Sequence, residues 1–155
     1  MIYFFDIDGV LADCSHRLHY LENKDYDSFY SDTEILRDTP IFQGMELYED
    51  ICSSPYADVY ILTGRPERTQ EATRGWFERM GQPAAPMIMR RNHDYRPAWE
   101  VKSTMLKKFI DMHSLDGPFC LIDDDPNNIK KFDEHFGIGL LFSLKRIEEF
   151  EWPQK

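Results

Sequence analysis

Five short apolar runs punctuate the chain, and the stretches between them are polar or carry apolar residues at helical spacing. Ile2 to Phe5 is continuously apolar and stops at Asp6, the pattern of a strand buried on both faces of a parallel sheet. Similar runs at 59–62, 86–89, 119–122 and 138–142 predict four more strands. Residues 66–80 read as a helix, with Pro66 at its first position and Gly81 at its C-terminal cap. Val101, Met105, Leu106, Phe109 and Ile110 form a second apolar stripe. Asp125-Pro126 opens a third helix, with Ile129, Phe132 and Phe136 on one face and Gly137 as its stop.

Strands alternating with helices predict an α/β fold: a Rossmannoid parallel sheet with helices on both faces and ligands bound beyond the carboxyl ends of the strands. Three of those ends carry distinctive polar groups. The first delivers Asp6 and Asp8, the second Thr63-Gly64-Arg65, and the fourth Asp123-Asp124-Asp125. The segment from about 14 to 44 stands apart as long, polar and aromatic, and reads as a small helical cap inserted over the strand ends. At 155 residues the chain is expected to be one domain, with no internal repeats to indicate a solenoid.

Charge narrows the function. With 28 acidic and 18 basic side chains the formal charge is −10, which fits neither a general DNA-coating protein nor a binder of anionic membranes. It leaves room for a small, locally basic pocket. Aromatics at 14% and periodic apolar runs exclude disorder. Cys14, Cys52 and Cys120 are odd in number and far apart, without a Cys-x-x-Cys pair, so a reducing compartment is expected. No run reaches the roughly 20 apolar residues that span a membrane, and the apolar N-terminus lacks a basic leader. The expectation is a soluble cytoplasmic protein with no membrane and no obligate protein partner.

If the sheet joins the mouths of the first and fourth strands, Asp6, Asp8, Asp123 and Asp124 converge. Their mutual repulsion is costly without protonation or a bound cation. Oxygen-only ligands favour Mg²⁺, which commonly takes one or two carboxylates plus waters and phosphate oxygens. Asp125, before Pro126, is explained by helix capping alone.

These residues resemble the haloacid dehalogenase (HAD) superfamily of phosphotransferases. Asp6-Ile7-Asp8-Gly9-Val10 resembles its nucleophile motif, Thr63 its phosphate-binding hydroxyl, Lys102 its basic motif, and Asp123-Asp124 its acidic metal motif. Within the superfamily the chain resembles the 3′-phosphatase domain of phage-type polynucleotide kinase/phosphatase. Arg17 lies eleven residues after Asp6, and Thr63-Gly64-Arg65 resembles the Ser/Thr-Gly-Arg turn of that domain. Thr73-Arg74-Gly75-Trp76 and the series Met89-Arg90, Asp94-Tyr95-Arg96 and Val101-Lys102 follow its pattern as well. Two positions depart from it: Ala98 stands where an acid often precedes the lysine, with Glu100 as a substitute, and Asp125 stands where an arginine often follows the paired aspartates. No Gly-x-x-x-x-Gly-Lys-Ser/Thr motif accompanies it.

The resemblance implies phosphoryl transfer through an aspartyl phosphate. It makes Asp6 the nucleophile, Asp8 the acid and base, Thr63 and Lys102 holders of phosphate oxygens, and Arg17, Gly64 and Arg65 substrate-binding residues. Asp6, the Asp8 carbonyl, and Asp123 or Asp124 would hold Mg²⁺. For Arg17, surface ion pairing is an equal alternative. The expected substrate is a nucleotide or a nucleic-acid 3′-phosphate end. A sugar phosphate is the second enzymatic reading, and a catalytically weak nucleotide-binding module is the third.

Other residues take plainer readings. His16 and His19 are expected to pack in the cap rather than bind zinc. Trp76, Phe77 and Met80 are expected in the core, and Lys107 and Lys108 on a solvated face. Tyr20, Tyr26, Phe29 and Tyr30 are candidates to stack on a nucleobase. Arg90, Arg91 and Arg96 either steer a phosphate-bearing ligand or balance Asp94 and Glu100.

Overall fold

The sheet has the order β5-β4-β1-β6-β7, and every pair in it is parallel. Its strands are β1 (Ile2–Phe5), β4 (Asp58–Pro66), β5 (Met87–Arg90), β6 (Phe119–Asp123) and β7 (Ile138–Leu141). The structure, a computed structural model, describes residues 1–144. β1 lies in the centre because both of its faces are apolar. Phe5 joins Ile61, Cys120 and Ile122 on one side, while Ile2 and Phe4 join Leu62 and Leu121 on the other.

Helices cover both faces. Met45 and Tyr48 of α4 (Phe42–Cys52) and Trp76 and Phe77 of α5 (Gln70–Arg79) close the first layer. Leu106 of α6 (Ala98–His113) and Phe132 of α7 (Pro126–His135) close the second. Trp76 and Phe77 are fully buried and Met80 packs against them, as core residues should. No described helix is long and apolar enough to cross a membrane.

Two helix starts separate propensity from context. Asp125 caps α7 as expected, its Oδ1 accepting from the Asn127 amide at 2.8 Å, with Pro126 at the first helical position. Pro66 does not open a helix. It ends β4 in an extended conformation, and a short 3₁₀ turn, Glu67–Thr69, intervenes before α5. β4 thus runs on through Thr63-Gly64-Arg65, and its register with β5 shifts between Thr63 and Pro66. That irregularity bends the polar triplet over the end of the sheet.

Between β1 and α4 the chain leaves the sheet. The Ile7 carbonyl accepts from the amides of Val10, Leu11 and Ala12, which folds a tight loop whose apolar side chains are fully buried. A two-stranded antiparallel ribbon of β2 (Ala12–Asp13) and β3 (Thr39–Pro40) then brackets the short helices α1 (His19–Glu22), α2 (Tyr26–Phe29) and α3 (Asp32–Leu36). Gly44, at the edge of the segment expected to be inserted, lies inside α4.

Gly44 is where the loop after β1 meets the first helical layer. A Cβ there would lie 1.8 Å from the Val10 carbonyl oxygen, so only glycine lets α4 approach this closely. Gly44→Ala is expected to cost about 2 kcal/mol, in the range for overpacked sites. In a urea titration this lowers the unfolding midpoint by roughly 1 M; an unchanged midpoint would contradict the close packing.

Candidate active site

The parallel register sets Phe5 against Ile122, so Asp6, just past β1, and Asp123, the last residue of β6, stand side by side at the carboxyl edge of the sheet. Lys102, projecting from the first turns of α6, stands between them. Its Nζ lies 2.9 Å from Asp6 Oδ2 and 2.7 Å from Asp123 Oδ2. Burial works against the lysine's charge, but the two carboxylates overrule it and hold its pKa above the ordinary range.

Asp123 is saturated. Besides Lys102, it accepts from the Asp125 amide at 2.9 Å and from Asn128 Nδ2 at 3.1 and 3.0 Å. Asp124 is exposed and turns the other way, toward Gly9. A Cβ on Gly9 would lie 2.0 Å from Asp124 Oδ2, and the backbone there has φ +84°, so two constraints require glycine.

Oxygens of Asp6, Asp123 and Asp124 all lie within 4.8 Å of one another. Burial, with help from Asp123 and Asp8 and against Lys102, pushes the Asp6 carboxyl up to about 8. Although Asp124 is exposed as a residue, partial shielding of its carboxyl from water, with Asp123 beside it, pushes it up to about 6. One ammonium among three carboxylates leaves an excess of negative charge, and the donor set is all oxygen. That chemistry fits a hard divalent cation such as Mg²⁺.

Asp8 sits in the opposite environment. Arg65 reaches it twice, from Nη2 to Oδ1 at 2.6 Å and from Nε to Oδ2 at 3.1 Å, and Arg17 Nη2 adds a contact to Oδ1 at 2.9 Å. Burial alone would raise the Asp8 pKa, but Arg65 and then Arg17 hold it below the usual carboxylate range. Both arginines are fully buried, so neither is a surface ion pair. Asp38 completes the arrangement, accepting from Arg17 at 2.8 Å through each oxygen and from Arg65 at 2.7 Å. Two guanidinium groups and two carboxylates therefore close a neutral quartet. Phe29 is buried beside it, its ring centroid 4.3 Å from the Arg17 guanidinium carbon, so Arg17 already covers one face of the ring.

A cavity of about 660 Å³ opens above these groups, lined by Asp6, Asp8, Gly9, Gly64, Lys102 and Asp124 among others. Thr63 is fully buried, and its hydroxyl accepts from the Arg65 amide at 3.2 Å; Gly64 is the residue of that turn facing the cavity. Glu100 pairs with Arg96 at 3.2 Å, so Asp6 and Asp123, rather than Glu100, orient Lys102. His16 lies 3.2 Å from Glu34, and among the described residues it joins no metal-binding group. Arg96 balances Asp94 and Glu100, as one of the two readings held, whereas Arg90 donates to the carbonyls of Asp94 and Arg96.

Asp38 and Asn128 are members of the site that the sequence did not reveal. Nothing local marks either, since Asp38 reaches its partners across 21 and 27 residues of chain.

In fold the chain is similar to a chain of the Pnkp1/Rnl/Hen1 RNA repair complex, with a TM-score of 0.67 and 18% identity over 91% of this chain and 42% of that one. It therefore spans less than half the length of that neighbour. A haloacid dehalogenase-like family hydrolase from Streptococcus pneumoniae superposes with a TM-score of 0.67 at 17% identity, covering 90% of this chain and 83% of the other. A phosphatase assigned only provisionally, from Clostridium difficile, gives 0.60 at 14%, covering 96% and 88%. At these identities the likeness is one of fold. No curated protein matches in sequence. The family described as the polynucleotide kinase PNKP phosphatase domain matches residues 1–132. The chain belongs to that family, within the HAD superfamily of phosphatases.

Proposed function

We propose that the chain is a Mg²⁺-dependent phosphomonoesterase that acts through an aspartyl phosphate on nucleotides or nucleic-acid 3′-phosphate ends. One observation carries the reading. Asp6 and Asp8, two residues apart, face one cavity with opposite electrostatic surroundings, the first beside an ammonium and two carboxylates, the second gripped by two guanidinium groups. A module that only bound phosphate would not need an acid and base beside a nucleophile.

The Lys102 ammonium holds Asp6 Oδ2, which leaves Oδ1 to attack phosphorus. A bond forms between that oxygen and phosphorus as the bond to the leaving oxygen breaks. Asp8, ionised at rest, takes up a proton from solvent as the phosphate binds beside it and gives that proton to the leaving oxygen. It then takes a proton from the water that attacks the aspartyl phosphate, which releases inorganic phosphate and restores Asp6. An approaching phosphate dianion opposes Arg17 and Arg65 and raises the proton affinity of Asp8 when it must act as an acid. Lys102 and the amides of the turn around Gly64 stabilise the phosphoryl oxygens.

Asp6, Asp124 and the Asp8 carbonyl are the groups that would hold Mg²⁺. Asp123, committed to Lys102 and Asn128, instead fixes the lysine. When bound, the cation supplies charge neutralisation between the nucleophile and the phosphate.

Arg17, Arg65 and Asp38 act through Asp8, as positioning residues beneath the cavity floor. The nucleotide reading draws on the family and on the fold shared with a chain of an RNA repair complex.

Three outcomes follow. Asp6→Asn is expected to lower kcat at least about a thousandfold while leaving the circular dichroism spectrum unchanged; near-wild-type turnover would contradict covalent catalysis. Chelation is expected to silence the enzyme and added Mg²⁺ to restore it, and full activity in a rigorously metal-free sample would reject the cation. Asp38→Asn leaves two buried guanidinium groups short of charge, so unfolding free energy in urea should fall by about 3 kcal/mol. Its kcat should fall more than its KM rises, because Asp8 is displaced rather than the phosphate site; wild-type stability and kcat together would remove Asp38 from this role.

A further inference from the structure

We infer that the recess between α2 and the loop 91–97 is the nucleobase subsite of this enzyme, an inference that rests on the nucleotide reading above. The recess is separate from the catalytic cavity but shares three walls with it, Leu21, Tyr30 and Arg90. A leaving group attached to phosphorus at Asp6 therefore has a continuous path into it. Its volume of about 300 Å³ sits at the low end of the range for small-ligand sites. One nucleoside fits such a space, and a duplex does not.

The walls select a flat ring. Tyr26, from the segment inserted after β1, and Tyr95, from the loop before α6, meet with ring centroids 5.6 Å apart, and both remain exposed, Tyr95 at 66%. The rings are inclined at 43° to each other, so a base stacks on one of them, the more exposed Tyr95, with Tyr26 at its edge. A sugar phosphate, whose hydroxyls need polar partners all round, gains little from it. The surface is also held in place on both sides. Arg68 Nη2 pairs with Asp27 of α2 at 3.0 Å, and the Arg68 amide donates to Asn92 at 2.9 Å, which ties the cap side to the loop.

Arg90 links the two compartments. Its Nη1 supports the loop through the carbonyls of Asp94 and Arg96, at 2.9 and 3.0 Å. Its Nη2 lies beside Gly64, 3.5 Å from where a Cβ would stand, and makes no hydrogen bond among the described residues. Its Nε is buried with no partner among the described residues. Nε is enclosed and out of a ligand's reach, so Nη2 is the donor left for an acceptor that the substrate delivers. The position, between the phosphate turn and the aromatic wall, suits a sugar or bridging phosphate oxygen. Arg91 adds positive charge to the same recess in a chain whose net charge is −10.

The test compares a nucleoside 3′-monophosphate with abasic deoxyribose 3-phosphate, in the wild type, Tyr95→Ala and Tyr95→Phe. Tyr95 is exposed, so these substitutions spare the core. The wild type should prefer the base-bearing ester in kcat/KM. Tyr95→Ala should lower kcat/KM for that ester roughly tenfold more than for the abasic one, chiefly through KM, and Tyr95→Phe should recover most of the loss. Equal kcat/KM for the two esters in the wild type, or an equal loss on both in Tyr95→Ala, would overturn the subsite while leaving the nucleotide reading standing. Failure of that reading looks different: a hexose phosphate is hydrolysed and both nucleotide-derived esters are not, which overturns the two together.

Discussion

A single ammonium group between two carboxylates organises the site. Lys102 touches both Asp6 and Asp123, and with both it is buried apart from the edge that lines the cavity, so each depends on the others rather than on water. Removing one member of such a group leaves an uncompensated buried charge, at a cost of several kcal/mol. This contact fixes where Asp6 points and where α6 docks on the sheet. It also commits Asp123, leaving Asp124 as the paired aspartate that faces the cavity. The parallel register makes the contact feasible, because β6 ends at Asp123, one residue past the Ile122 that pairs with the last residue of β1.

A second electrostatic unit, the quartet of Asp8, Asp38, Arg17 and Arg65, stands beside the first and has opposite effect. Burial, helped by Asp123 and Asp8 and opposed by Lys102, pushes the Asp6 pKa up, whereas the quartet holds the Asp8 pKa down. Two aspartates separated by one residue thereby receive different assignments, a difference made by environment rather than by side-chain type. The tight loop at Ile7, with Gly9 in a left-handed conformation, is what lets adjacent carboxylates enter different surroundings.

Much of this was legible in the sequence because it is local. Apolar runs of four or five residues mark the strands, and a strand buried on both faces has no polar alternation to confuse the reading. Asp6 and Asp8 announce themselves directly after an apolar strand, where nothing structural requires two acids so close. The rest depends on distant partners. Arg17 in a polar segment looks solvated, yet an aspartate 21 residues away draws it fully into the interior. Phe29 looks open on both faces until that guanidinium settles over one of them. Pro66 has the chemistry of a helix start, but pairing with β5 holds it in the sheet, so tertiary context overrides a local preference. Asn128, five residues beyond Asp123, is locatable only once α7 is known to begin at Pro126 and turn its first coil back over the carboxylate.

The central claim is that Asp6 becomes covalently phosphorylated. Rapid acid quenching during a single turnover of a nucleoside 3′-monophosphate carrying labelled phosphate, followed by peptide mapping, tests it directly. Transient label is expected on the peptide containing Asp6, stable to acid and released by hydroxylamine, that forms before inorganic phosphate and decays as phosphate is released. Phosphate appearing at the full single-turnover rate with no label on that peptide at any time would contradict it.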